Sequence, residues 1–111
     1  MLSKRRTEGS VEVLELSGKI TIGEGEAELR RDVQDLLDGG KQKILISLER
    51  VGFMDSAGLG ELVACYKRAN ENGGTIKILK PSGKVADLLS LTKINEIFEI
   101  FEDEGEAIAS F

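Results

Sequence analysis

One serine in this chain stands where it could do chemistry. Ser56 lies in the run Phe53-Met54-Asp55-Ser56-Ala57-Gly58-Leu59-Gly60-Glu61, between an aspartate and a Gly-x-Gly. The apolar run Ile44-Leu45-Ile46-Ser47-Leu48 precedes it and a helical repeat follows, so Ser56 falls where a strand gives way to a helix. The first N–H groups of a helix have no intrahelical acceptor and polarise that end positively. A hydroxyl there can attack as a nucleophile, cap the helix or accept a phosphoryl group. Ala57, Gly58 and Gly60 have almost no side chain to cover it, and glycine lets another molecule's backbone come close. The local residues leave the cap and the exposed acceptor both open.

The nucleophile reading lacks its helpers. Histidine is absent from the chain, which removes Ser-His-Asp and Cys-His catalysis and most transition-metal sites. No lysine lies between Glu49 and Tyr66 to form a local Ser-Lys dyad, and Gly-Phe-Met-Asp-Ser is not a G-x-S-x-G elbow. Gly39-Gly40-Lys41 and Gly83-Lys84 lack the spacing of a phosphate-binding loop. Gly23-Glu24-Gly25 meets Glu28 where a dinucleotide fingerprint needs a third glycine. The expectation is a protein that is not an enzyme and holds no cofactor or metal.

Cys65, the only cysteine, excludes an internal disulfide and reads as a small packing residue in a reducing cytoplasm. No apolar run reaches the ~18 residues of a membrane span. The basic start Lys4-Arg5-Arg6 is not followed by the apolar stretch of a secretory signal. Fifteen basic against twenty acidic residues leave a net charge of −5, and the stretch after Lys93 holds six acids and no base. A nucleic-acid or anionic-membrane partner would need a basic footprint, which the linear sequence does not display.

The elements that would hold Ser56 follow from periodicity. At 111 residues the chain suits one domain, 1–111. Residues 2–7 read as an edge strand whose Lys4, Arg5 and Arg6 discourage edge pairing, turned at Gly9-Ser10 into a strand over Val11–Leu16. Leu29, Val33, Leu36 and Leu37 form one helical face between Ala27 and Leu37, ended by Asp38-Gly39-Gly40. Lys43–Leu48 reads as a central strand. A helix then buries Leu59, Leu62, Val63 and Tyr66 and stops at Asn72-Gly73-Gly74. Thr75–Leu79 reads as a strand, Val85, Leu88 and Leu89 as a short helix, Ile97–Phe101 as a last strand and Glu104–Phe111 as a terminal helix. This order predicts an α/β fold with right-handed crossovers: a mixed, mostly parallel sheet of four to five strands with about four helices.

Asp55-Ser56-Ala57-Gly58-Leu59-Gly60 resembles the signature of the STAS domain family, in particular its bacterial anti-sigma-factor antagonists. Leu14–Ile20 resembles that family's early strand and Gly-x-Leu/Ile turn, and Ala27-Glu28-Leu29-Arg30 the opening of its first helix. Ile44–Leu48 with Phe53–Ser56 is similar to its central strand and phosphoacceptor loop. Asn72-Gly73-Gly74, Ile78 and Leu91-Thr92-Lys93-Ile94 follow its later course. The chain departs at Thr21, where the family commonly has Asp close to the phosphoacceptor.

The resemblance implies partner switching. Unmodified, the protein would bind an anti-sigma factor that is also a serine kinase and so free a sigma factor, in settings such as stress response or sporulation. The kinase, using ATP, would phosphorylate Ser56 and end the association, and a PP2C-type phosphatase would reverse this. Thr21, Ile22, Gly23, Asp55, Ser56, Ala57, Gly58, Leu59 and Gly60 would face the partner, on a cytoplasmic monomer or weak dimer. The added charge of about −1.5 to −2 would sit beside Asp55 and near Glu61. Two other readings stay open. One is a non-switching STAS scaffold or transport-complex subunit. The other is a receiver-like domain phosphorylated on Asp55, although the first strand ends in Leu16-Ser17-Gly18 rather than the acidic cluster a receiver needs.

Overall fold

The apolar run at Ile44–Leu48 becomes the middle of a five-stranded sheet. In the computed structural model, which describes residues 1–111, the order is β1 (Leu2–Glu8), β2 (Val11–Ile20), α1 (Glu24–Asp38), β3 (Lys43–Met54), α2 (Ser56–Glu71), β4 (Thr75–Leu79), α3 (Gly83–Leu91), a 3-10 turn (Ile94–Glu96), β5 (Ile100–Phe101) and α4 (Glu104–Ala109). The strands lie side by side in chain order. β1 pairs antiparallel with β2 and every other neighbour pairs parallel, which is the mixed α/β sheet expected.

Alternation along the strands divides the interior in two. Leu14, Leu16, Ile20, Ile44, Ile46, Leu48, Ile76 and Ile78 face α1, α2 and α3, which return Leu29, Val33, Leu36, Leu59, Leu62, Val85 and Leu89. Val11, Val13, Leu45 and Leu79 face the other way and are covered by Ala107, Ile108 and Phe111 at the C-terminal end of the chain. Beyond α4 that second face carries Glu15, Ser17 and Glu49. No helix is long and apolar enough to cross a membrane.

Several boundaries differ from the sequence reading, each for a physical reason. α1 begins at Glu24 rather than Ala27, because Gly23 (φ 93°) turns the chain and Glu24 and Glu26 suit the positive end of the helix. β3 runs on to Met54. Register shifts against β2 break the strict alternation, so Glu49 and Arg50 interrupt the apolar pattern without ending the strand. β5 is only Ile100–Phe101, because Phe98 turns into the core edge-on to Tyr66 with ring centroids 4.9 Å apart. Val63 is half-buried and outside the core, whereas Leu62 is wholly inside. The buried stripe of α2 runs instead through Gly58, Leu62, Cys65 and Ala69. Arg5 and Arg6 do more than guard the edge. Arg5 pairs with Asp32 and Asp35, and Arg6 ties β1 to Glu15 and to Glu104 of α4.

Candidate functional site

β3 ends at Met54 and α2 begins at Ser56, so Asp55 alone links them. Its backbone is extended and its Oδ1 accepts the Gly58 N–H at 2.9 Å, which makes Asp55 the N-cap of α2. Its Oδ2 accepts the Ile22 N–H at 2.9 Å, and its own N–H donates to the Ile20 carbonyl at 3.3 Å. One aspartate therefore closes the helix and holds the Thr21-Ile22-Gly23 loop against it. Ser56, next along, is exposed and its hydroxyl makes no hydrogen bond within the protein. The choice left open by the sequence falls out cleanly: Asp55 caps the helix and the Ser56 hydroxyl is free.

Hydrogen bonds from Gly58 and then from Ile22 favour the carboxylate and hold the Asp55 pKa below the usual range. A folded pKa below the unfolded one stabilises the protein above the unfolded value, about 3.9. That contribution is lost as pH falls through the folded value. Between about pH 5 and pH 2, wild type is expected to lose stability more steeply than Asp55→Asn, which has no carboxylate to titrate. Urea melts across that range measure the difference. Parallel slopes would show that the two N–H bonds do not depend on the charge.

The residues expected to face a partner divide into surface and support. Ser56, Gly60, Ile22 and Gly23 are exposed, while Thr21, Asp55 and Ala57 are half-buried. Ile22 shows 75% of its surface to solvent. Gly58 and Leu59, also expected to face the partner, are instead buried. A Cβ on Gly58 would lie 2.1 Å from the Ile20 carbonyl oxygen, so that glycine admits this chain's own β2 and not another molecule. Gly25 does the same from α1, with 2.9 Å to the Lys19 carbonyl oxygen, and the end of β2 is held between two helix starts. That is the use of the second glycine in Gly23-Glu24-Gly25. Thr21 accepts the Glu26 N–H through its carbonyl at 2.9 Å, shaping the start of α1.

Glu61 does not add to the negative field beside Ser56. It is 6% exposed, with Arg30 Nε at 2.8 Å and Arg68 at 2.6 Å. Burial opposes its ionisation, but the two guanidinium groups outweigh that and keep its pKa below the usual range. This network, joining α1 to α2, was invisible in sequence, because neither the burial of Glu61 nor the approach of Arg30 is a matter of spacing. Cys65 lies beside it, wholly buried, and burial pushes its thiol up to about 12. It is a packing residue.

A loop of this build on a five-stranded mixed sheet has known counterparts. The STAS domain family model matches residues 3–107. The chain belongs to the STAS domain family. A Thermotoga maritima relative described as a candidate anti-sigma factor antagonist is 34% identical over 74 residues, which is 67% of this chain and 66% of that protein. The anti-sigma-B factor antagonist of Staphylococcus aureus is 31% identical over 75 residues, covering 68% of this chain and 69% of its own length. A Thermotoga maritima crystal structure, also a candidate antagonist, superposes with a TM-score of 0.89 at 28% identity, over 97% of this chain and 92% of that one. The antagonist SpoIIAA has been solved unphosphorylated and phosphorylated, at TM-scores of 0.73 and 0.74. With 18% and 20% identity over 98% of this chain, and 96% and 98% of theirs, these two speak for the fold.

Proposed function

We propose that this STAS domain, residues 1–111, is an anti-sigma-factor antagonist working by partner switching in the cytoplasm, with Ser56 as its phosphoacceptor. Unmodified, it binds an anti-sigma factor that is also a serine kinase and so releases a sigma factor. Phosphorylation ends the association, and a PP2C-type phosphatase restores it. The exposed residues around Ser56, namely Ile22, Gly23 and Gly60 with half-buried Thr21 and Ala57, form the contact.

One observation carries this reading: the Ser56 hydroxyl is exposed and unengaged at the first turn of a helix that Asp55 already caps. A kinase can take it without disturbing the fold, and the helix start tolerates the new charge. Asp55 is a poor acceptor by comparison, since backbone N–H groups occupy both its oxygens. The names of the relatives favour an antagonist over a scaffold. Intact-mass and peptide analysis of the protein from growing cells is expected to find one phosphate, on Ser56. Phosphate found on Asp55 or Thr21 with Ser56 untouched would overturn the assignment. Its absence from every residue, under conditions that switch sigma activity, would favour the scaffold.

A further inference from the structure

Lys19, Arg50 and Lys84 lie far apart in sequence, and the fold brings them around one hollow with Gly18, Gly52 and Phe53. We infer that this basic hollow is a second docking point, and that it takes an acidic segment of the anti-sigma factor bound at Ser56. The inference rests on the function proposed above and adds the chemistry of the partner.

None of the three bases makes an ion pair or hydrogen bond within the protein, whereas Arg5, Arg6, Arg30 and Arg68 are all engaged. The nearby acids do not neutralise them: Glu49 reaches toward Lys80 at 4.0 Å, and Asp87, one turn along α3 from Lys84, pairs with neither. On a domain of net charge −5 the three unpaired bases make this spot locally cationic. Phe53, 43% exposed, supplies an apolar floor. Lys19 pairs in register with Phe53, and Ile20 with Met54. Since Ile20 and Met54 face the core, Lys19 and Phe53 face the opposite side of the sheet. Phe53 is two residues before Asp55 and Lys19 two before Thr21, so chain continuity puts the hollow within a few residues of the Ser56 loop, on the other face of the sheet.

Charge and geometry together choose the occupant. The hollow, about 600 Å³, opens to solvent and all three bases are exposed. Single exposed ion pairs are weak, so a free small anion gains little there. Acids delivered by a partner already anchored at Ser56 act at an effective concentration of order millimolar. A long polyanion would extend past a Debye length of about 8–10 Å and meet the acidic remainder of the surface. A second copy of this chain has its own acidic end partly committed, Glu104 to Arg6 and Glu99 to Lys77.

Amide NMR titration at millimolar probe concentration tests the surface without the native partner, using a capped tetramer of glutamate, the matching glutamine tetramer, inorganic phosphate and an oligothymidine octamer. The glutamate peptide is expected to shift Gly18, Lys19, Gly52, Phe53 and Lys84, to fade with salt, and to do nothing to Lys19→Glu/Lys84→Glu. Absence of a localised shift overturns the proposal. So does equal or stronger perturbation by phosphate or the oligonucleotide, or salt-sensitive self-association in sedimentation that the double variant loses. Against the host's purified anti-sigma factor, the double variant is expected to bind roughly tenfold more weakly at low salt, with the gap narrowing at high salt. Unchanged affinity of the double variant alongside loss in Ser56→Asp would sink the hollow and leave the Ser56 reading intact. Loss in the double variant with none in Ser56→Asp would do the reverse.

Discussion

Ser56→Asp is expected to fold like the wild type and to bind the anti-sigma factor at least tenfold more weakly, while Ser56→Ala keeps most of the wild-type affinity. The folded state has no reason to object, because Ser56 is exposed and its hydroxyl bonds to nothing. An acid in the first turn is favoured by the helix dipole, by about 0.3–1 kcal/mol. Circular dichroism and the urea midpoint should therefore be unchanged or slightly improved. At a docked surface the same carboxylate must be desolvated, and losing ~3 kcal/mol weakens binding roughly a hundredfold. Authentic phosphoserine, with about −1.5 to −2 charges, should do more than aspartate. Salt relieves the long-range part of the loss and leaves the desolvation part. With Glu61 neutralised by Arg30 and Arg68, most of the effect should be of the second kind and persist at high salt. Calorimetry at two salt concentrations separates them. Equal affinities for the Ala, Asp and phosphorylated forms would remove the switch and leave a scaffold.

What could be read from the chain depended on how local each feature is. The apolar stripe Leu29, Val33, Leu36 and Leu37 and the run Ile44–Leu48 are short-range patterns, and both emerged as core. The strand-to-helix junction at Ser56 was equally legible, since it needs only a strand, a break and a helix in succession. Which of two adjacent residues caps that helix was not legible. Asp55 and Ser56 are both good caps in isolation. Asp55 wins because its second oxygen also reaches Ile22, 33 residues earlier in the chain. The burial of Glu61 and the gathering of Lys19, Arg50 and Lys84 were hidden for the same reason: each depends on elements meeting across the fold. β3 outruns its apolar pattern because a shifted register suspends the period-two rule at Glu49-Arg50.

The two glycines bracketing Leu59 should respond to alanine in opposite ways, the sharpest test of how the site is built. In an exposed helical position, Gly→Ala stabilises by roughly 0.5–1 kcal/mol, because alanine has less backbone freedom to lose. Gly60 has nothing within 4 Å of a Cβ, so Gly60→Ala should raise the urea midpoint. At Gly58 the same methyl would sit 2.1 Å from the Ile20 carbonyl oxygen and 2.9 Å from its carbon. These are backbone atoms of a central strand, unable to swing aside as a side-chain tip could. Overpacking of that kind costs typically 1–3 kcal/mol and occasionally more, which outweighs the helical gain. Gly58→Ala is therefore expected to be destabilised by about 2 kcal/mol or more. Because relief comes only by lifting the start of α2 off β2, the Asp55–Ile22 link should loosen as well, flattening the acid dependence toward that of Asp55→Asn. Gly60→Ala should keep that dependence and gain stability, yet bind the anti-sigma factor less well, since under the proposed function its methyl would project toward the partner. Urea melts, acid titration and calorimetry on the two variants measure all three quantities. If Gly58→Ala were as stable as Gly60→Ala, the close packing of α2 on Ile20 would be wrong, and with it the rigid support assigned to Ser56.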